Sequence, residues 1–369
     1  MKKILVIIFA FLLIGCSSDT LEKNDNKPID ETIVDNESFQ LANSFEKGVS
    51  DIITLKVDPK IESTYLIAHM LSDKTGYDVY FDEDEYVLNQ VEEFSVYKDH
   101  EVFTILENMI SKGFTYDAIS GALHYYDDNL ELIDGLKPDE NILRRAGGQE
   151  QVEKYLKALY DFRKVSQYDK YFLENEQYFT KILNRAAKHI ESSNMSEVYL
   201  NYYGESLGPL VVVVTPVTPM GYGNRIELEE KKILMPTLRV SLDEEQYISF
   251  LLHEISHSYV NPQTTLKFEK VNTLEKLYEP IESSMRKQSY PTWEISLNEH
   301  IVRANVIMMI EEIYGTSARE NRISYEMERD FIYLSNVLES LNEYTQTREG
   351  YPVFHMYYDL ILKNLKSQL

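Results

Sequence analysis

Residues 246–262, QYISFLLHEISHSYVNP, decide how the rest of the chain is read. Asp243 stands before them as an N-cap, with Gln246 three residues on in the capping-box position. Tyr247, Phe250, Leu251, Leu252 and Ile255 recur at the spacing of one broad apolar helix face. Inside that helix His253-Glu254-Ile255-Ser256-His257 is an H-E-x-x-H pattern. Positions four apart lie one above the other on a helix, so His253 and His257 can grip one metal ion. Glu254 stands beside the first histidine, within reach of a water on that ion. Zinc held in this way lowers the pKa of its water, and the glutamate is placed to act as general base. Asn261-Pro262 is expected to end the helix.

A catalytic site of this kind needs a third protein ligand and an open fourth position. A second helical run at 293–309, WEISLNEHIVRANVIMM, supplies a candidate in Glu299. Arg303 lies one turn on, placed to pair with Glu299 and hold its orientation, and Asn298 is a further candidate for supporting it. His300 is turned about 100° around the helix, which sets it off the ligand face. Glu282 and Glu294 are weaker rivals for the ligand. An oxyanion formed during hydrolysis calls for a hydrogen-bond donor, and the candidates are His355, Tyr351 and Tyr290.

The composition narrows the classes. Asp and Glu number 61 against 37 Lys and Arg, a formal charge of −24 that argues against nucleic acid as a partner. The single cysteine is Cys16, so disulfides are expected to play no part in the fold. It closes the stretch MKKILVIIFAFLLIGC, with a basic start, an apolar core and the ending Leu13-Ile14-Gly15-Cys16. This is the pattern of a bacterial signal peptide over 1–15 with a lipobox, which implies cleavage before Cys16 and acylation of its thiol. The expected location is the bacterial cell envelope, anchored by lipid, with the outer membrane or cell surface favoured because Ser17 does not resemble an inner-membrane retention signal.

Residues 16–45 are polar and charge-rich and are expected to form a disordered tether. From there 46–194 reads as a mainly helical N-terminal portion. It has a short strand at 52–57, a helix opened by Asp58-Pro59, and helices at 83–94, 99–112, 116–125, 149–164 and 170–192. The portion 195–369 carries the metal motif. Strands are expected at 196–203 and 210–217, the latter LVVVVTPV, with a turn at 220–223 and a returning strand at 224–229. One of these strands is a candidate edge to which an extended peptide adds. Helices are expected at 266–278, at 319–341 as one long element, and at 353–365.

The segments HEISHSYVNP and NEHIVRA resemble those of the DUF4932 lipoproteins, a family with a gluzincin-like metallopeptidase signature. The resemblance extends through VDPKIESTYLIAHMLS at 57–72 and YKDHEVFTILENMISKGFTYDA at 97–118. It implies zinc on His253, His257 and Glu299, with Glu254 as general base, and an α+β fold with a zincin-like core of small sheet and metal-binding helix. One departure is that Arg303 follows Glu299 where better-known gluzincins often carry an acidic residue. The expected function is that of a lipid-anchored zinc metallopeptidase acting on a peptide or protein. The alternative is an envelope lipoprotein that binds peptide or glycan without cutting it.

Overall fold

A six-stranded mixed sheet organises the chain, and its strands come from distant parts of the sequence. The computed structural model describes residues 39–77, 79, 85–218, 221–228, 231–239 and 242–369. The signal peptide at 1–15, Cys16 and the tether as far as residue 38 lie outside the described residues. The strands are β1 (Phe45–Ser50), β2 (Ile53–Val57), β3 (Leu210–Thr215), β4 (Arg225–Leu228), β5 (Lys231–Leu234) and β6 (Thr237–Arg239). Their order is β1-β2-β3-β5-β4, with β6 also paired to β3. β3 is the centre. Its valines are nearly all buried, as a run of β-branched residues covered on both faces should be. β2, β5 and β6 run parallel to β3, while β1 and β4 are antiparallel to their neighbours.

The outer hairpin keeps one register from Leu228↔Lys231 through Arg225↔Leu234 to a bridge between Tyr222 and Thr237. Of the strand expected at 224–229, residues 225–228 pair with β5, and Tyr222, expected in a turn, lies on the continuation of the strand.

The chain is secured earlier than expected. The Ala42 amide donates to Asp169 Oδ1 at 2.5 Å, and Phe45 stacks on Phe172 at 5.1 Å between ring centres. Ala42 and Phe45, placed in the expected tether, thus belong to the fold.

Ten helices matter for the site. They are α1 (Pro59–Met70), α2 (Asp117–Leu123), α3 (Gln149–Val165), α4 (Glu176–Ser193), α5 (Met195–Tyr203), α6 (Glu244–Leu266), α7 (Trp293–Tyr314), α8 (Thr316–Glu328), α9 (Leu334–Gln346) and α10 (Phe354–Leu365). α4 covers β1 and β2, and α6 lies against β6. α7 is enclosed by α5, α6, α8 and α9. It is buried almost all round, which its apolar sequence requires.

Three expectations are corrected here. Residues 196–203 form a helix rather than a strand. Met195, Val198, Tyr199, Tyr202 and Tyr203 are buried at helical spacing, and Gly204 at φ 75° closes the helix with a left-handed cap. The tyrosines favour a strand locally, but their period is that of a helix. Pro262 does not stop α6, which runs on to Leu266. Its last turn is tied down by the buried Thr264, bonded to Asn298 on α7 and to the Tyr358 hydroxyl on α10. These anchors offset the hydrogen bond a mid-helix proline loses. The long helix at 319–341 is two helices, broken around Asp330 at φ 64° so that Phe331 turns inward and is fully buried. Smaller differences follow the same pattern, with 170–192 divided at Asn175 and 266–278 broken into two short helical pieces.

Residues Gln40–Leu369 form one compact unit. The expected boundary at 194/195 separates no bodies, because β2 before it pairs with β3 after it. The fold is mixed α+β and mainly helical. Among the described residues no helix is long and apolar enough to cross a membrane.

Candidate metal centre

Asp243 caps α6, its Oδ1 accepting the Gln246 amide at 2.9 Å. The helix then buries Tyr247, Ile248, Leu251, Leu252, Ile255 and Tyr259, which leaves His253, Glu254 and His257 on the face that opens to a cleft. Ser256, on the buried side, accepts from the Tyr203 hydroxyl at 2.7 Å and ties α6 to α5. α7 packs along α6 and presents Glu299 to the two histidines.

The three side chains converge. His253 Nε2 and His257 Nε2 are 3.2 Å apart, His257 Nε2 is 3.3 Å from Glu299 Oε1, and His253 Nε2 is 3.7 Å from Glu299 Oε2. Among the described residues these groups can hold one metal ion, with their ligand atoms all within 4.8 Å of one another. The spacing suits that role, because ligands about 2.05 Å from a tetrahedral ion lie about 3.3 Å from each other. Neither Glu282, which pairs with Arg286 at the surface, nor Glu294 joins the cluster.

The orienting partners are ordered outward from the cluster. His257 Nδ1 faces Asn261 Oδ1 at 3.2 Å, so a proton at Nδ1 leaves Nε2 free to bind a metal. Arg303 Nη2 donates to Glu299 Oε2 at 2.9 Å, as expected from its place one turn on. The same Arg303 gives Nη1 to Glu326 Oε2 on α8 at 2.9 Å and Nη2 to the Tyr290 hydroxyl at 3.0 Å, and lies over the Phe331 ring. An acidic residue is therefore present behind the glutamate, one partner further out and from another helix. Asn298 does not support Glu299. It bonds to Thr264 at the end of α6. His300 is turned away, fully buried, with Nδ1 on the Ser296 carbonyl at 2.7 Å.

Of the oxyanion candidates, Tyr290 lines the cleft. His355 and Tyr351 do not line it. His355 is half-exposed and bonds to Glu205 at 2.9 Å, and Tyr351 packs edge-on against Tyr357. α10, which carries His355, packs on α9 and on the last turn of α6, beyond the cluster.

Electrostatics separate the carboxylates. Burial lifts Glu254 to about 7, with the charge of Glu299 adding to the effect and His257 and the Gly223 amide pulling the other way. Glu299 is also buried, but the hydrogen bond from His257 and the charges of His253, His257 and Arg303 hold it well below the usual carboxylate range. Burial holds His253 well below its ordinary value; for His257, burial is outweighed by Glu299, which raises it to about 9. The cluster thus favours a cation at its centre.

Glu254 lies against the outer hairpin. A Cβ at Gly223 would stand 2.8 Å from Glu254 Oε2 and 3.0 Å from the Glu254 backbone oxygen, so a side chain there would crowd Glu254. Two cavities, of about 640 and 610 Å³, meet over the cluster and share Asp117, Gly223, Glu254, His257 and Asn261. Sequence reasoning missed Asn261, Gly223 and Glu326. Asn261 carried a usable signal, four residues after His257 on the same face, and was read only as a helix stop. Gly223 and Glu326 carried none.

A family model described as a domain of unknown function, DUF4932, matches residues 53–364, and the chain belongs to that family. No curated protein and no solved structure matches it.

Proposed function

We propose that the protein is a zinc metallopeptidase with a zincin-like core. The observation that carries this reading is the convergence of His253, His257 and Glu299 with the buried Glu254 beside them in an open cleft. A nitrogen, nitrogen, carboxylate donor set suits zinc, which when bound acidifies a water and polarises a carbonyl oxygen. Glu254 takes the proton from the attacking water and delivers it to the nitrogen of the breaking C–N bond. The Tyr290 hydroxyl accepts from Arg303, so its own proton stays free to donate to the oxyanion.

The sheet supports the same reading. β4 is the antiparallel edge, and Asn224, Arg225 and Ile226 border the cleft, so an extended peptide can add to this strand. Gly223 brings that edge against Glu254. The lipobox at Cys16 adds a lipid-anchored location in the cell envelope.

The test compares wild type with Glu254→Gln for zinc content and for cleavage of a peptide library read by mass spectrometry. Both should hold about one zinc per chain, and the variant should lose turnover by at least about a thousandfold. Zinc-loaded wild type that binds peptides and never cuts them would turn the reading into that of a binding protein.

A further inference from the structure

The protein is strongly acidic, yet one wall of the cleft is basic. Arg303, Arg322 and Arg329 line the cavity of about 610 Å³ on the far side of Glu299. All three surround one fully buried carboxylate, Glu326, with Arg303 at 2.9 Å and Arg322 and Arg329 each at 3.3 Å. Both terminal amino groups of Arg303 are engaged, Nη1 by Glu326 and Nη2 by Glu299 and Tyr290. Arg322 meets Glu326 only through Nε, and among the described residues its two terminal amino groups have no acceptor. Arg329 gives only Nη1 to Glu326. Three guanidiniums against Glu326 and Glu299 leave one positive charge over. Burial and the like charges of Arg303 and Arg329 hold Arg322 below its ordinary pKa, which Glu326 only partly offsets. Tyr325, more than half exposed, closes the wall with its ring 5.5 and 5.3 Å from the two guanidiniums.

Forked donors with unspent hydrogens, beside a scissile-bond site and carrying one surplus positive charge, suit a planar carboxylate. A phosphate dianion would bring more negative charge than this wall leaves unanswered. Asp117, which also lines this cavity, is paired with Arg145 at 2.8 Å. We infer that Arg322 and Arg329 form a subsite for a substrate carboxylate, held next to the cluster. This rests on the peptidase reading and sets its substrate class. The carboxylate comes either from the free end of a short peptide or from an acidic side chain.

The test is equilibrium binding to the full, zinc-loaded Glu254→Gln chain, followed by fluorescence anisotropy. The probes are labelled alanine-rich peptides in matched pairs, ending in carboxylate or carboxamide, plus amidated peptides in which Glu or Gln is moved through each position. A free-end source predicts that the carboxylate member binds about tenfold or more tighter than the amide. A side-chain source predicts the same margin for Glu over Gln at one position only. In either case the margin should collapse in Arg322→Gln and in Arg329→Gln, and Arg322→Lys should restore part of it. Thermal melts of each variant check that the fold is kept, and Arg329, the more exposed of the two, serves where Arg322→Gln melts early. Peptide binding without carboxylate preference, or a preference that survives both arginine variants, overturns the subsite and leaves the peptidase reading standing. Wild type that holds zinc but neither binds nor cleaves any probe overturns the peptidase reading itself.

Discussion

Glu299 on α7 and Glu62 on α1 are both carboxylates closed off from solvent, at 6% and 0% exposure, and they sit in opposite charge states. Burial raises the pKa of each. At Glu299 it is outweighed by the hydrogen bond from His257 and the charges of His253, His257 and Arg303, and the group is held ionised. At Glu62 nothing outweighs it. Thr215 is the only group pulling it down, the charge of Asp58 pushes it further up, and its pKa reaches about 8. Among the described residues no well-formed hydrogen bond reaches either Glu62 oxygen, the approach of Thr215 being too weak to offset burial, while Asp58 alongside is taken by Lys60 at 2.5 Å. A buried acid is therefore no sign of a site by itself. The sign is several donors converging on one point with their own partners arranged behind them.

The sharpest way to break this contrast is to remove charge and ligand together with Glu299→Gln. Zinc affinity should fall by about a thousandfold or more, read by competition with a chelator. Full retention would remove Glu299 from the ligand set.

Glu62→Gln asks the opposite question. In the wild type the folded Glu62 keeps its proton up to about pH 8, whereas the unfolded chain loses it near 4.5, the ordinary value for a glutamate. The folded state thus binds more protons between these values, and stability must fall as pH rises through that window. From pH 5.5 to 8 the loss assigned to this group is about 3 kcal/mol. Urea titrations should show that difference between the two proteins' pH profiles. Parallel profiles would mean that Glu62 is ionised in the fold. Metal content should not change.

The smallest effect is expected at Asn261→Ala. It frees the His257 ring to turn and to take the wrong tautomer, and should cost about tenfold in zinc affinity with the fold intact. An unchanged affinity would confine Asn261 to a helix-end role.

Much of the site was legible because much of it is local. His253, Glu254 and His257 share one helix, and Glu299 and Arg303 share another, so helical spacing alone sets their relations. Asn261 belonged to the same pattern and was obscured by the proline after it. Where propensity and period conflicted, as at 196–203, the burial of Val198, Tyr199, Tyr202 and Tyr203 followed the period. Local signals failed at the ends and breaks of helices, where Thr264 and Phe331 act through residues far away in the chain.

The sequence by itself determined a capped helix with two histidines and a glutamate on one face, a second helix with a Glu–Arg pair, and a central apolar strand. These follow from repeat distances of the backbone, which any short window contains. Only the tertiary structure decided that Glu299 meets the histidines, that Glu326 draws three arginines together, that Gly223 carries the edge strand past Glu254, and that His355 and Tyr351 stand aside. Such meetings depend on how helices and strands pack across the whole chain, and no local pattern records that.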